Sequence, residues 1–245
     1  MLSRVLPFIL LLISCNPPKE EKKAYVAPVA NEKGEKVVRS FYPDGKTKSE
    51  LTLKNGKRNG LARTYDADGA LILELPYAND VREGTSKKYY AGGKALAQTT
   101  EYKRDRMNGM QIRYRGTGVV MSEARYENDL PCADLKEYLS NQSLKKKYPT
   151  IEVKMNKKPD ANGAQTLSIK LSEKARSIKF YSGHLTNSGC LTDNLYYLRL
   201  DEASNTAEVP YYVQASENAE MNIIAVFETL MGNTAIAQHT FRIRN

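Results

Sequence analysis

The sequence contains no tryptophan, only two histidines and only three cysteines in 245 residues. His184 and His239 stand in no cluster spaced with Cys or Asp, so no residue is assigned to a metal. Catalytic signatures are equally scarce, with no Gly-x-Ser-x-Gly, Walker-type loop or dinucleotide fingerprint. Ser143-Leu144-Lys145-Lys146 matches Ser-x-x-Lys, but it falls in an expected turn without companion motifs and is read as incidental. The chain is therefore expected to be no enzyme and to need no cofactor. Long apolar runs are also missing beyond Val5–Ile13, which is too short to cross about 30 Å of hydrocarbon as a helix.

What the chain has in quantity is tyrosine, 16 residues against 5 phenylalanines, arranged periodically. An aromatic stands four residues before a glycine at Phe41/Gly45, Tyr65/Gly69, Tyr89/Gly93 and Tyr114/Gly118, with glycine intervals of 24, 24 and 25. A second series, Leu53, Tyr77, Tyr102 and Tyr126, steps by 24, 25 and 24, so one residue is inserted between Gly93 and Tyr102. Such a fixed period marks a repeat array. Each unit carries two turn signals, Asp44-Gly45, Asp68-Gly69, Gly92-Gly93 and Thr117-Gly118, then Asn55-Gly56, Asn79-Asp80, Arg104-Asp105 and Asn128-Asp129. Gly, Asn and Asp reach positive φ cheaply, so these dipeptides predict a meander of short antiparallel strands. The Tyr series would stack as cross-strand neighbours.

A further glycine follows the second turn at Gly60, Gly84 and Gly109. With Glu50, Glu74 and Glu123 five residues after the marker glycine, the pattern resembles the bacterial variant of the MORN repeat. Four units cover about 95 residues, with a degenerate fifth at Tyr138–Tyr148 where Gln142 replaces the glycine. Asp replaces Gly in three later turns, and Ala133 stands where the last closing glycine belongs. The resemblance implies an elongated antiparallel sheet acting as a scaffold or binding surface. Pro131–Tyr148 is read as a capping hairpin in preference to a short helix supported by Leu135 and Leu139.

Residues 1–14 have an early positive charge and an apolar run, as a secretory signal does. Leu12-Ile13-Ser14-Cys15 resembles a bacterial lipobox, which implies removal of the signal and lipidation of Cys15. Two or more acyl chains anchor stably where one does not. Residues 15–36, rich in Lys, Glu, Pro and Ala, read as a solvated, disordered tether. Lys19-Glu20-Glu21 is similar to the surface-export tag of Bacteroidota lipoproteins. The expected location is the cell envelope, as an outer-membrane lipoprotein on its periplasmic side or on the cell surface.

The net charge of +9 sits mainly in the repeats, with 21 Lys and Arg against 14 Asp and Glu over residues 37–149 and 10 of each beyond them. For an exported chain the expected counterparts are a protein partner or acidic envelope glycan or lipid, not nucleic acid. An alternative reading makes these cations a solvated face that guards against edge aggregation. Cys132 and Cys190 would either pair in an oxidising compartment or remain as separate thiols.

From about Thr150 the repeat gives way to seven alternating or apolar runs: 151–155, 167–171, 177–182, 195–200, 207–214, 222–230 and 235–243. They suggest a sandwich similar to immunoglobulin-like domains, without the Trp or internal Cys pair. The chain is thus read as all-β: signal 1–14, tether 15–36, MORN-like meander 37–149 and Ig-like β-sandwich 150–245. The candidate binding face carries Tyr65, Tyr77, Tyr89, Tyr102, Tyr114 and Tyr126 with neighbouring Lys and Arg. A non-catalytic binding or scaffold role is the leading expectation. The alternatives are an immunity component that binds a toxin and, further off, an enzyme that processes envelope glycans.

Overall fold

The computed structural model describes residues 34–156, 158, 165–211 and 219–243. The expected signal segment 1–14, Cys15, residues 16–33, the expected turn at 159–163 and residues 212–214 of the expected strand 207–214 lie outside the described residues. All regular structure within them is β.

The repeats form one eleven-stranded antiparallel sheet. Its strands are β1 (Glu35–Phe41), β2 (Thr47–Lys54), β3 (Lys57–Tyr65), β4 (Leu71–Ala78), β5 (Val81–Arg82), β6 (Gly84–Tyr89), β7 (Leu96–Lys103), β8 (Arg106–Tyr114), β9 (Val120–Glu127), β10 (Leu130–Pro131) and β11 (Lys136–Glu137). They lie in chain order, with short β5 continuing the pairing of β4 and β11 sharing β9 with β10.

Two alternating turns build this meander. At Asn55-Gly56, Asn79-Asp80, Arg104-Asp105 and Asn128-Asp129 both residues have positive φ, between 48° and 80°. Such a pair matches the right-handed twist of a tight hairpin. The other turn closes on the marker glycine, as in the bonds from Asp66 N to Ala70 O and from Gly69 N to Asp66 O. In the third unit this turn is one residue longer, with Tyr90 N donating to Ala95 O, so the inserted residue is absorbed there. The fifth unit is also a hairpin, since Leu139 N donates to Ser143 O and Gln142 adopts φ 65° in the glycine's place. The helical alternative therefore fails; Leu139 is exposed while Leu135 packs on the sandwich core.

Gly109 shows why a glycine closes the second turn. Its φ is +119°, and a Cβ there would lie 1.9 Å from Glu101 Oε2, the carboxylate oxygen that accepts Met110 N. At Ala133 the constraint disappears because the chain leaves the sheet, and Ala133 N donates to Gly189 O of the following domain.

The sheet has almost no interior. Between residues 34 and 131 the buried side chains are Ser86, Thr100, Ser122 and Ala124, none of them large and apolar. Backbone ladders, cross-strand pairs and nearest-neighbour contacts between repeats must therefore hold it together.

The apolar core lies in the second domain. One sheet there has the order β12-β13-β17-β16 and the other β15-β14-β18-β19. These are Ile151–Asn156, Gln165–Leu171, Arg176–Ser182, Tyr196–Leu198, Leu200–Asp201, Thr206–Tyr211, Ala219–Glu228 and Thr234–Ile243 for β12 to β19. Alternation buries Leu167, Ile169 and Leu171 of β13, and Ile169 and Leu171 cluster with Phe180, Leu198, Ile223, Ala225 and Phe227. The run 195–200, expected as one strand, is two: β15 pairs with β14, and beyond Arg199 β16 pairs with β17 in the other sheet.

Two junctions fix the domains to each other. Cys132 and Cys190 form a disulfide, flanked by bonds from Leu191 N to Pro131 O and from Ser188 Oγ to Glu127. The β18–β19 turn meets the repeat sheet, where Arg113 donates to Met231 O and Asn233 Oδ1, each at 2.9 Å, and Ser122 Oγ donates to Asn233 Oδ1 at 3.0 Å. Glu137 completes this junction, accepting from Asn233 Nδ2 at 2.7 Å and from the Thr229 hydroxyl.

Candidate functional site

Paired residues in a sheet share a face, and neighbours along a strand alternate. Following the register from β1 to β11 gives a continuous row on one face: Arg39, Glu50, Arg63, Glu74, Lys87, Thr99, Ile112, Glu123 and Lys136. Charges alternate along it and break only at Thr99 and Ile112.

Where the row is intact it forms a repeated cluster. Arg39 Nε lies 2.7 Å from Glu50 Oε1, and the Tyr65 hydroxyl donates to Glu50 Oε2 at 2.9 Å. In the next unit Arg63 Nε lies 3.2 Å from Glu74 Oε1, and the Tyr89 hydroxyl donates to Glu74 Oε2 at 3.1 Å. The Arg39 hydrogen bond holds Glu50 below the usual carboxylate range, with the Tyr65 bond acting the same way. Burial, and then the adjacent carboxylate, raises the Tyr65 and Tyr89 phenols. Partly exposed pairs of this kind contribute about 0–1 kcal/mol each, so their effect is chiefly to fix geometry.

The other face carries Tyr77 and Tyr102, which are covered by guanidinium groups. Arg58 and Arg82 each sit 4.4 Å from the respective ring centroid. Each arginine is in turn held by the Asp of the next repeat's turn. Asp80 Oδ1 accepts Arg58 N at 2.8 Å while Asp80 N donates to Arg58 O at 2.9 Å. Asp105 repeats the arrangement with Arg82. Asp129 accepts Met107 N at 2.7 Å, with methionine in the arginine's place. Backbone donation holds Asp80 and Asp105 below their ordinary pKa.

The Asp-for-Gly departures thus have a cause, because each Asp keeps the left-handed turn and also clamps the preceding repeat. Substitution of Asp80 should lower the thermal midpoint in the order Asn, Gly, Ala from least to most. Asn keeps both the acceptor and a tolerable φ, Gly keeps only the φ, and Ala keeps neither. Differential scanning calorimetry of the three variants checks the order; equal midpoints would remove the clamp.

The six tyrosines expected on one face are therefore split. Tyr65, Tyr89 and Tyr114 lie on the Glu50 face, while Tyr77, Tyr102 and Tyr126 lie on the opposite one. Tyr126 is directed to the sandwich: it hydrogen-bonds Thr234, and burial raises its pKa. The arginines, expected as free basic surface, are largely engaged; Arg39, Arg58, Arg63, Arg82 and Arg125 all have carboxylate partners. Sequence reasoning missed the Arg58 and Arg82 clamps, although their 24-residue spacing carried the signal. An open hollow of about 470 Å³ is lined by Lys46, Thr47, Glu50, Tyr65, Asp68 and Gly69, but its carboxylate is already filled by Arg39 and Tyr65. Glu127, Cys132 and Cys190 bring potential ligand atoms together, yet sulfurs bonded to each other are not thiolate ligands. Among the described residues no helix is long and apolar enough to cross a membrane.

The class defined by this geometry is a single-layer β-repeat sheet joined to a β-sandwich. The family model described as "MORN repeat variant" matches residues 35–55 and 58–79, which are two adjacent repeats. No curated protein gives a significant match. A similar solved structure is the extracellular domain of a proposed one component system from B. thetaiotaomicron, at 11% identity and a TM-score of 0.21, covering 89% of this chain. The match spans 36% of that chain, and at such a TM-score it says nothing about fold or activity here.

Proposed function

We propose that the protein is a lipid-anchored cell-envelope component whose repeat sheet is a non-catalytic binding or scaffold surface, carried beside an Ig-like sandwich. The observation that carries this reading is the uncovered sheet. It holds its backbone through Asp–Arg clamps and charge pairs and has no apolar core of its own. Nine strands side by side span roughly 40 Å at the usual strand spacing, and the described contacts with the sandwich lie at the β8–β11 end of that sheet. The strand orders β12-β13-β17-β16 and β15-β14-β18-β19 support the Ig-like description, as they correspond to an ABED sheet facing a CFG sheet with one added strand. The matched MORN variant repeats support binding over chemistry. Cys15 would supply the anchor at the membrane.

In-cell cross-linking of the full-length protein, with mass-spectrometric identification of captured species, tests the reading. A protein captured from wild type and lost when residues 37–149 are deleted is the expected result. Enrichment that ignores the deletion would overturn it. In the same cells Cys15→Ala should move the protein from the membrane pellet to the soluble fraction. Retention of the variant in a salt-washed pellet would remove the lipid anchor from the proposal.

A further inference from the structure

The break in the charge row falls at one position of the repeated cluster. In the first two intact units a carboxylate receives a cation from the preceding strand and a tyrosine hydroxyl from the following one. Glu50 receives Arg39 and Tyr65, and Glu74 receives Arg63 and Tyr89. In each case the tyrosine lies 15 residues after the acid. The third unit keeps the surroundings and loses the acid. Lys87 is directly opposite Thr99, as Arg39 is opposite Glu50 and Arg63 opposite Glu74. Tyr114 follows Thr99 by the same interval, two residues beyond its cross-strand partner Ile112.

The missing carboxylate leaves two donors without a partner. Lys87 is exposed and forms no ion pair among the described residues, and the Tyr114 hydroxyl has no hydrogen-bond acceptor there. Beside them the row continues with Ile112 where the other units have a cation, and Met110, two residues earlier on β8, shares that face. Both are half-buried, so they offer apolar surface next to the two donors. A carboxylate and an apolar side chain from one short segment match this combination. Methionine and isoleucine suit an apolar peptide side chain better than a sugar face, which prefers an open aromatic plane.

We infer that the gap at Thr99 takes up a carboxylate of an acidic peptide segment in a protein partner, with Lys87 Nζ and the Tyr114 hydroxyl as donors. Met110 and Ile112 then receive the apolar residue next to that carboxylate. The partner completes in trans the cluster that Glu50 and Glu74 complete within the chain. This assignment rests on the binding-module reading and gives that surface a specific site and ligand chemistry.

The test uses the full chain and a fluorescein-labelled peptide of sequence Asp-Glu-Phe-Glu-Asp, read by fluorescence polarisation. Wild type should bind it, more weakly as salt rises. Thr99→Glu supplies the acid internally and should weaken binding by about tenfold or more, the equivalent of one charge-assisted bond, while the thermal midpoint holds or rises. Tyr114→Phe should also weaken binding. Tyr196→Phe, at an exposed position on β15 of the sandwich, should leave affinity within about twofold.

Unchanged affinity in Thr99→Glu overturns the site, as does equal binding of a Gln-Gln-Phe-Gln-Gln peptide. Displacement of the peptide by polygalacturonate at equal carboxylate concentration would assign the surface to acidic glycan and overturn the peptide. If wild type does not bind the peptide while cross-linking still captures a repeat-dependent protein, the site fails and the binding-module reading stands.

Discussion

Replacing both Cys132 and Cys190 with alanine is expected to lower stability by about 4 kcal/mol and the thermal midpoint by roughly 8–16 °C. The bond closes a separation of 58 residues, which includes the first three sandwich strands, β12 to β14. Releasing a loop of that length returns conformational entropy to the unfolded chain, and the gain grows only slowly with length. In the folded protein the effect is local. Cys132 is 2% and Cys190 0% exposed, so both half-cystines sit inside the junction.

Around them Arg125 donates to Ser188 O, pairs with Asp134 at 2.7 Å and approaches Cys190 Sγ at 3.5 Å. Without the disulfide these contacts hold the Thr186–Cys190 turn unaided. Calorimetry of the double variant beside wild type measures the loss, and thiol titration of unfolded wild type confirms that the pair began oxidised. A shift below about 2 °C would mean that polar contacts at the junction are sufficient. Burial also predicts that a mild reductant acts on the native protein slowly and on the unfolded protein at once.

The repeat was legible because its turns are made by local chemistry. Positive φ at Gly69, Asn79 and Gly118 follows from residue type alone, and the period then fixes how many strands there are. The face that each residue occupies was not legible. Tyr65 and Tyr77 are separated by a turn and by a register shift where Thr64 and Tyr65 oppose Leu73 and Leu71, and either one can exchange inside for outside. The two tyrosine series therefore had a readable spacing without a readable orientation. The switch of β15 and β16 between sheets was hidden for a similar reason, since Leu195–Leu200 has one continuous strand-like composition and the change occurs at exposed Arg199. Arg113 and Asn233 are 120 residues apart, and nothing local announces that they meet. The break at Thr99 lay in plain view as a missing Glu, but its meaning required the register that sets Lys87 and Tyr114 around it.

Glu137→Ala is expected to cost about 2–4 kcal/mol and to loosen the repeat sheet from the sandwich. The Glu137 carboxylate is completely buried and is shared by two domains. Lys145 donates to it at 2.8 Å from its own hairpin, while Asn233 and Thr229 donate from the β18–β19 turn. Truncation would leave Asn233 and Thr229 short of an acceptor inside the protein. Lys145 is 24% exposed and recovers some hydration, so the loss should fall below that of a fully enclosed ion pair.

Burial alone would raise the pKa of this carboxyl, but the bonds from Asn233, Lys145 and Thr229 outweigh it and hold the value below the ordinary 4.5. A folded-state pKa below the unfolded one means that the contribution is fully present above about pH 4.5 and fades as the pH falls through the lower, folded value. Urea unfolding of wild type and Glu137→Gln from pH 7 to pH 3 separates this group from other carboxylates that also titrate, Glu50 among them. The stability difference between the two proteins should stay constant down to about pH 5 and shrink below it. A difference that does not change with pH would show that Glu137 contributes shape rather than charge. The Tyr148 phenol, pushed up to about 12 by burial and then by the Glu137 charge, adds a second readout. Removing that charge in Glu137→Gln should bring its alkaline titration, followed by ultraviolet absorbance, back toward the ordinary 10.0.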